Sequence, residues 1–265
     1  MRRREIVIGA VVVFIVGASL AFFQRVAIRD AFTGKPDVPA AVERAAVVAD
    51  VNANTGNTNT AGEPEPLPVA VNLKVPFTSQ APDANWDQDH EEFCEEAAVL
   101  MVGRYWQDRT IEGKSDAEAA LQEIKTFELK EFGFYYDTTA AETARILENL
   151  YGLRVEIIAD PSLDDIKRAV ASGNPVIVPT AGRQLGNPNF RRPGPVYHNL
   201  VIKGYTADGK LITNDPGTRK GADYLYSAEV VLNAMHDWVP AGERTVPRNG
   251  DVGEGRKVVI VVRGS

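Results

Sequence analysis

The chain has 265 residues, a formal net charge of −7, one cysteine and three histidines. That length holds one domain of ordinary size with additional segments. The acidic balance, without a basic stripe carrying interleaved aromatics, argues against a nucleic-acid partner, and a lone cysteine excludes an internal disulfide, a cysteine zinc finger and a redox pair.

Residues 1–30 read as a membrane anchor or signal segment. The run "IVIGAVVVFIVGASLAFF", 6–23, has Ser19 as its only polar residue. As a helix it covers roughly 27 Å, close to the hydrocarbon thickness of a bilayer. Arg2, Arg3 and Arg4 precede it and Arg25 and Arg29 follow, which places the amino terminus in the cytoplasm and the rest outside. The alternative is a cleaved signal peptide, because Ser19-Leu20-Ala21 resembles a small-x-small cleavage site. Either way the following domain is expected to be extracytoplasmic. Residues 31–70 read as a flexible linker: "VNANTGNTNTAGEPEPLP" has little to bury.

The folded domain is expected over 71–265. Helical patterns come first: one from about Cys94 to Gln107, one after Ser115 as N-cap to about Phe132, and one after Thr139 that stops at Gly152. "LRVEII", 153–158, is a strand. "SLDDIKRAVASG" is a short helix with Ser162 as N-cap and Gly173 as its stop. "PVIVPT" is a strand in which Pro179 predicts an edge position. "YHNLVIKGY" and "KLITND" form a hairpin around "TADG". "SAEVVLNAMHDW" is a late helix and "KVVIVVR" a final strand. Helices first and strands later predict a two-layer α+β fold.

The chemistry centres on "DQDHEEFCEEAAVLM", 87–101, which holds Cys94 among six acids. A reactive cysteine acts as its thiolate, which neighbouring negative charge disfavours. At helical spacing, Ala97, Ala98, Met101 and Tyr105 fall within about 60° of Cys94, whereas Glu95 and Glu96 point roughly 100° and 160° away. The acids are therefore expected to turn from the sulfur and to complement the helix dipole, while the same N-terminus favours a thiolate. A nucleophilic cysteine needs an imidazole within hydrogen-bond reach and a third group to orient it. His198 opens one hairpin strand; Asn214 and Asp215 end the other. Asp215 shares the His198 face only if it falls opposite an even-numbered residue. A strict Asp208-Gly209 turn sets it opposite Ile202, four residues from His198. Direct pairing requires a loop centred on Thr206 and Ala207, reached through a bulge or a longer loop.

With these stretches in place, "VPFTSQAP…NW…CEEAAVLM", "GPVYHNLVIKGY" and "ITNDPGTRKG" resemble the papain-like cysteine peptidases related to bacteriocin-processing (double-glycine leader) peptidases, in particular their stand-alone membrane-anchored bacterial branch. The resemblance covers about residues 73–240. It implies a papain-like α+β fold, with a helical layer led by a central nucleophile helix and packed on an antiparallel sheet. It also implies roles: Cys94 as nucleophile, His198 as base, Asp215 as the group that orients His198, and a glutamine as oxyanion donor. Gln80 matches the family's "SQ", and Gln88, six residues before the cysteine, is the rival. Many relatives carry Asp-Cys-Gly or Gly-Cys where this chain has Phe93-Cys94-Glu95.

The implied function is thiol-dependent hydrolysis of a peptide or protein substrate at the cell surface, without cofactor. The alternatives are a non-catalytic surface-binding domain on the same fold, and a thiol amidase or transpeptidase acting on cell-wall peptides. His90 reads as solvated and His236 as lying on a helix flank; neither forms a metal-ligand spacing with His198, so no metal is expected. Trp86 reads as core or cleft wall. The polar loop 180–195, with Arg183, Arg191 and Arg192, reads either as a cleft border facing acidic substrate groups or as a solvated loop.

Overall fold

The computed structural model describes residues 38–44, 66–244 and 246–265. The apolar run 6–23 lies outside them; among the described residues no helix is long and apolar enough to cross a membrane.

Helices α1 (Cys94–Trp106), α2 (Lys114–Glu131) and α3 (Ala140–Tyr151) follow a short strand β1 (Val71–Asn72). Strand β2 (Arg154–Ala159), helix α4 (Leu163–Ala171) and strand β3 (Val176–Ala181) come next, and a 3-10 turn Gly182–Leu185 continues β3. Strands β4 (Tyr197–Tyr205), β5 (Lys210–Asn214) and β6 (Tyr224–Ser227) form a meander, followed by helix α5 (Ala228–Ala234). Strands β7 (Val239–Pro240) and β8 (Gly250–Asp251) pair separately, and β9 (Val258–Arg263) closes the fold. The main sheet runs β2-β9-β3-β4-β5-β6, with β1 added beside β4, and every pairing in it is antiparallel. This is the expected α+β architecture: α1 packs on β4 from one side and on α2 and α3 from the other. Every residue of α1 from Cys94 to Tyr105 is buried, as befits a helix surrounded by partners.

Local chemistry explains most boundaries. Thr139 and Ser162 form capping boxes with Glu142 and Asp165, each satisfying two orphan helix groups. Gly152 ends α3 in the left-handed region at φ 67°. Helix α2 departs from expectation: it starts at Lys114 behind Gly113, with no side-chain cap, and Ser115 lies inside it. Pro179 is not on an edge strand, because β3 lies between β9 and β4. The β9 pairing covers only Val176 and Ile177, so the ladder has ended on that side before the proline. Residues 38–44, assigned to the linker from composition, lie against the domain. Val42 bridges Leu73, Asn72 Nδ2 donates to the Pro39 carbonyl at 2.9 Å, and Arg44 pairs with Asp108 at 2.9 Å.

The β4–β5 hairpin sets the site. Near the turn, Gly204 pairs with Ile212 and Tyr205 with Leu211. Continued unbroken, that register would carry Asp215 opposite Val201, facing away from His198. A bulge between Ile202 and Gly204 shifts the pairing to Ile202 with Thr213 and Val201 with Asn214. The next position, Asp215, then falls opposite Leu200, on the His198 face. The direct pairing of Asp215 with His198 contemplated from sequence is absent, and the two side chains meet diagonally.

Candidate active site

His198 lies near the start of β4, fully buried, and its Nε2 is 2.8 Å from Asp215 Oδ1. An ionised carboxylate only accepts, so Nε2 carries the proton and Nδ1 is left as the basic nitrogen. Nδ1 is buried and has no hydrogen-bond partner. The Phe190 ring packs edge-on against the imidazole at 5.2 Å, and Gly217 leaves no room for a Cβ beside it.

Asp215 has four donors. Besides His198, the Gly217 N–H donates to Oδ1 at 3.0 Å, while the Tyr226 hydroxyl and Asn187 Nδ2 donate to Oδ2 at 2.6 Å and 3.0 Å. Burial raises the carboxyl's pKa, but the adjacent imidazole and the donated hydrogen bonds outweigh it and hold Asp215 below the usual carboxylate value. Tyr226 and Asn187 are absent from the sequence reading. Asn187 sits in the polar loop and Tyr226 in a strand that periodicity did not separate from its neighbours.

Cys94 is the first residue of α1, buried, and in the layer facing β4. The Asn199 backbone N–H, one residue beyond His198, lies against its sulfur. The structure therefore brings Cys94 and the His198 strand together. It does not turn Glu95 away: Cys94 Sγ donates to Glu95 Oε2 at 2.9 Å. Side-chain length and burial override the Cα–Cβ direction, so the neighbouring carboxyl folds back onto the sulfur. Burial, the Glu95 charge and the hydrogen bond to Glu95 push the thiol well above its ordinary pKa.

The first-turn acids are also not a solvated complement to the helix dipole. Glu95 and Glu96 are 1% and 0% exposed. Burial pushes both well above the carboxylate range, and each is raised further by a neighbouring acid, Glu96 for Glu95 and Glu128 for Glu96. Both carboxyls therefore hold their protons more tightly than a solvated carboxylate does.

Gln80 is buried. Its backbone N–H donates to the Pro216 carbonyl at 3.0 Å, and its Nε2 donates to the His90 carbonyl at 2.8 Å. It lines a cleft of 210 Å³ together with Cys94, Glu95 and Tyr197. Gln88 is exposed in a turn and does not line that cleft. His90 is not solvated: it is 7% exposed, with Nδ1 2.6 Å from Asp87 and Nε2 2.8 Å from Glu118. It clamps the turn before Cys94 to α2. His236 lies just beyond α5, with Nδ1 2.9 Å from the Gly255 carbonyl.

The cleft has charged rims. Trp86, Arg183, Arg191 and Arg192 line it, and Arg191 pairs with Glu91 at 3.1 Å while lying 5.7 Å over the Trp86 ring. Arg248 pairs with Glu92 at 2.9 Å. Burial and the nearby Asp137 still push Glu92 up to about 7. Among the described residues no three His, Cys, Asp or Glu side chains are arranged to hold a metal ion. The arrangement contains the parts of nucleophilic acyl transfer: a thiol, an oriented imidazole with a free basic nitrogen, and an amide at the cleft wall.

A family model described as Peptidase_C39-like matches residues 72–245. No curated protein matches the chain. Among solved structures, a Bacillus anthracis protein assigned as a C39-like peptidase aligns at 15% identity and TM-score 0.48, over 74% of this chain and 99% of its own. A prointerpain A fragment from Prevotella intermedia aligns at 13% identity and TM-score 0.46, over 84% of this chain and 81% of its own.

Proposed function

The chain belongs to the Peptidase_C39-like family and is a cysteine peptidase acting on a peptide or protein substrate; from that premise we propose that Cys94, His198 and Asp215 are its catalytic triad and Gln80 its side-chain oxyanion donor. The observation that carries this reading is the state of His198. Asp215 holds Nε2 at 2.8 Å, while Nδ1 stays buried and unpartnered on the strand that meets Cys94.

In the proposed reaction the Cys94 thiol passes its proton to His198 Nδ1, and the thiolate attacks the scissile carbonyl. Negative charge develops on the carbonyl oxygen. The second Nε2 hydrogen of Gln80, the first being held by His90, and the Cys94 N–H at the start of α1 stabilise it. Such a donor is worth about 3 kcal/mol in the transition state. The imidazolium then protonates the leaving amine, and water, activated by the same nitrogen, releases the acyl group. Asp215 stays ionised throughout and fixes the tautomer. The cell-surface location belongs to the same proposal and rests on the apolar run 6–23 with its arginine flanks.

The test is labelling with an active-site electrophile for cysteine peptidases, alongside peptide hydrolysis. Cys94→Ala is expected to abolish both while the domain stays folded, and His198→Ala to reduce labelling strongly. Full hydrolysis by Cys94→Ala removes the proposal.

A further inference from the structure

One buried carboxyl touches the nucleophile and has no place in the triad. Glu95 is 1% exposed, its Oε2 accepts the Cys94 thiol at 2.9 Å, and its Oε1 has no partner. His198 Nδ1 is a second unpartnered buried acceptor, on the strand whose Asn199 N–H meets the same sulfur. In the resting arrangement the carboxyl, and not His198, accepts the thiol proton.

We propose that Glu95 is a positioning residue that parks the Cys94 thiol away from His198 and releases it when substrate fills the cleft. The inference rests on the triad reading above. Glu95 borders the cleft beside Cys94 although it is almost fully buried, so a peptide in the cleft reaches its carboxyl only as that carboxyl turns outward. Burial pushes the pKa of this carboxyl well up, which favours the acid form. In that form, with the proton on Oε1, Oε2 accepts the thiol and the Oε1 hydroxyl lacks an acceptor. A peptide carbonyl in the cleft supplies that acceptor. As the carboxyl turns toward it, the S–H bond leaves Oε2 and rotates onto His198 Nδ1. The proton then passes from sulfur to Nδ1, giving a thiolate and an imidazolium whose Nε2–H stays on Asp215. No other reactant is consumed. The parked thiol is neutral and hydrogen-bonded, so the resting enzyme is a poor nucleophile. The bond between two neutral groups is weak enough for a substrate to displace.

The chain has one cysteine, so alkylation of the full-length protein by iodoacetamide reports on Cys94 alone. Rates are compared for wild type, Glu95→Leu, Glu95→Met and Glu95→Gln, each with and without His198→Ala, after far-ultraviolet circular dichroism and a cooperative melt confirm folding. The apolar variants remove the competing acceptor and are expected to react about fivefold faster, the factor that one neutral hydrogen bond represents. Glu95→Gln keeps an acceptor oxygen and is expected to stay near the wild-type rate. The gain is expected to vanish in the His198→Ala background. Folded Leu and Met variants that react at or below the wild-type rate overturn the gate and leave the triad standing. A gain that survives His198→Ala also overturns it. If His198→Ala changes the rate in no background, the triad reading fails and the gate fails with it.

Discussion

Removing one oxygen atom tests how the orienting carboxylate is held. In Tyr226→Phe the ring stays in β6 and only the hydroxyl is lost. That hydroxyl donates to Asp215 Oδ2 at 2.6 Å and accepts from Asn187 Nδ2 at 2.8 Å. Asp215 is 0% exposed, so water is not at hand to replace the donor. A hydrogen bond to a buried carboxylate contributes about 1.5–3 kcal/mol. In a domain of this size each kcal/mol corresponds to about 2–4 °C, so a loss of about 2 kcal/mol lowers the melting temperature by about 4–8 °C. The effect has a definite pH sign. Asp215 has a depressed folded pKa, so its stabilisation is present above the unfolded value and is lost as pH falls through the folded one. The variant gap should therefore be full at pH 7 and close in strong acid. Activity should fall by about tenfold rather than vanish, because His198 keeps its bond to Oδ1 while Asp215 becomes less firmly placed. Thermal melts across that pH range, with peptide hydrolysis rates at neutrality, measure both. A melting temperature at pH 7 within about 1 °C of wild type refutes the reasoning.

Two further substitutions probe the same region. Gly221 abuts the main chain of Asp215, where an added Cβ would lie 1.8 Å from the Asp215 carbonyl oxygen. Gly221→Ala is expected to displace the Asp215 loop, costing about 1–3 kcal/mol and more than about tenfold in hydrolysis rate; wild-type kinetics in this variant contradict that placement. Glu128 is 0% exposed, and burial raises its pKa well above the usual carboxylate value. A raised acid contributes stability that is full below its unfolded pKa and declines as pH rises toward the folded one. Glu128→Gln removes that titration and should flatten the loss of stability as pH rises above the ordinary carboxylate value, by up to about 1.4 kcal/mol per pH unit. Urea titrations that give parallel wild-type and variant slopes refute it.

Much of the fold is legible in local sequence because its signals are local. Thr139 with Glu142, Ser162 with Asp165, and Gly152 state their helix ends within a few residues, and the structure uses each as expected. The nine residues of β4 match the apolar run read from sequence. The misreadings concern long-range burial. Ser115 is a better cap in isolation than Gly113, yet α2 begins two residues earlier than a Ser115 cap implies. Pro179 obeys the rule that a proline needs a vacant ladder, but vacancy arises because β9, more than 75 residues away in sequence, stops pairing at Ile177. His90 reads as solvated because one of the two acids that flank it in space, Glu118, comes from α2, 28 residues on. Tyr226 and Asn187 converge on Asp215 from separate segments, and no spacing rule connects them.

The acids around Cys94 show how a locally correct rule leads to a different chemistry once burial is included. Read on a helical wheel, Glu95 and Glu96 are surface charges that point away and oppose a thiolate only through their field. In the folded domain they are inside, where an unpaired carboxylate is far more costly than a carboxylic acid. Burial pushes both pKa values well up, which weakens the negative field expected from the sequence. What lies next to the sulfur is a hydrogen-bond acceptor that burial disposes toward its neutral form. This relieves His198 of the need to offset several anions, since Asp215 is the ionised carboxylate bonded to its imidazole. It places a different demand on the proposed triad: its imidazole would have to win the thiol proton from a neighbour that already accepts it. On the proposed triad and gate, a cysteine one residue from a buried acid would become reactive through geometry, by rotation between two acceptors, more than through a standing electrostatic field.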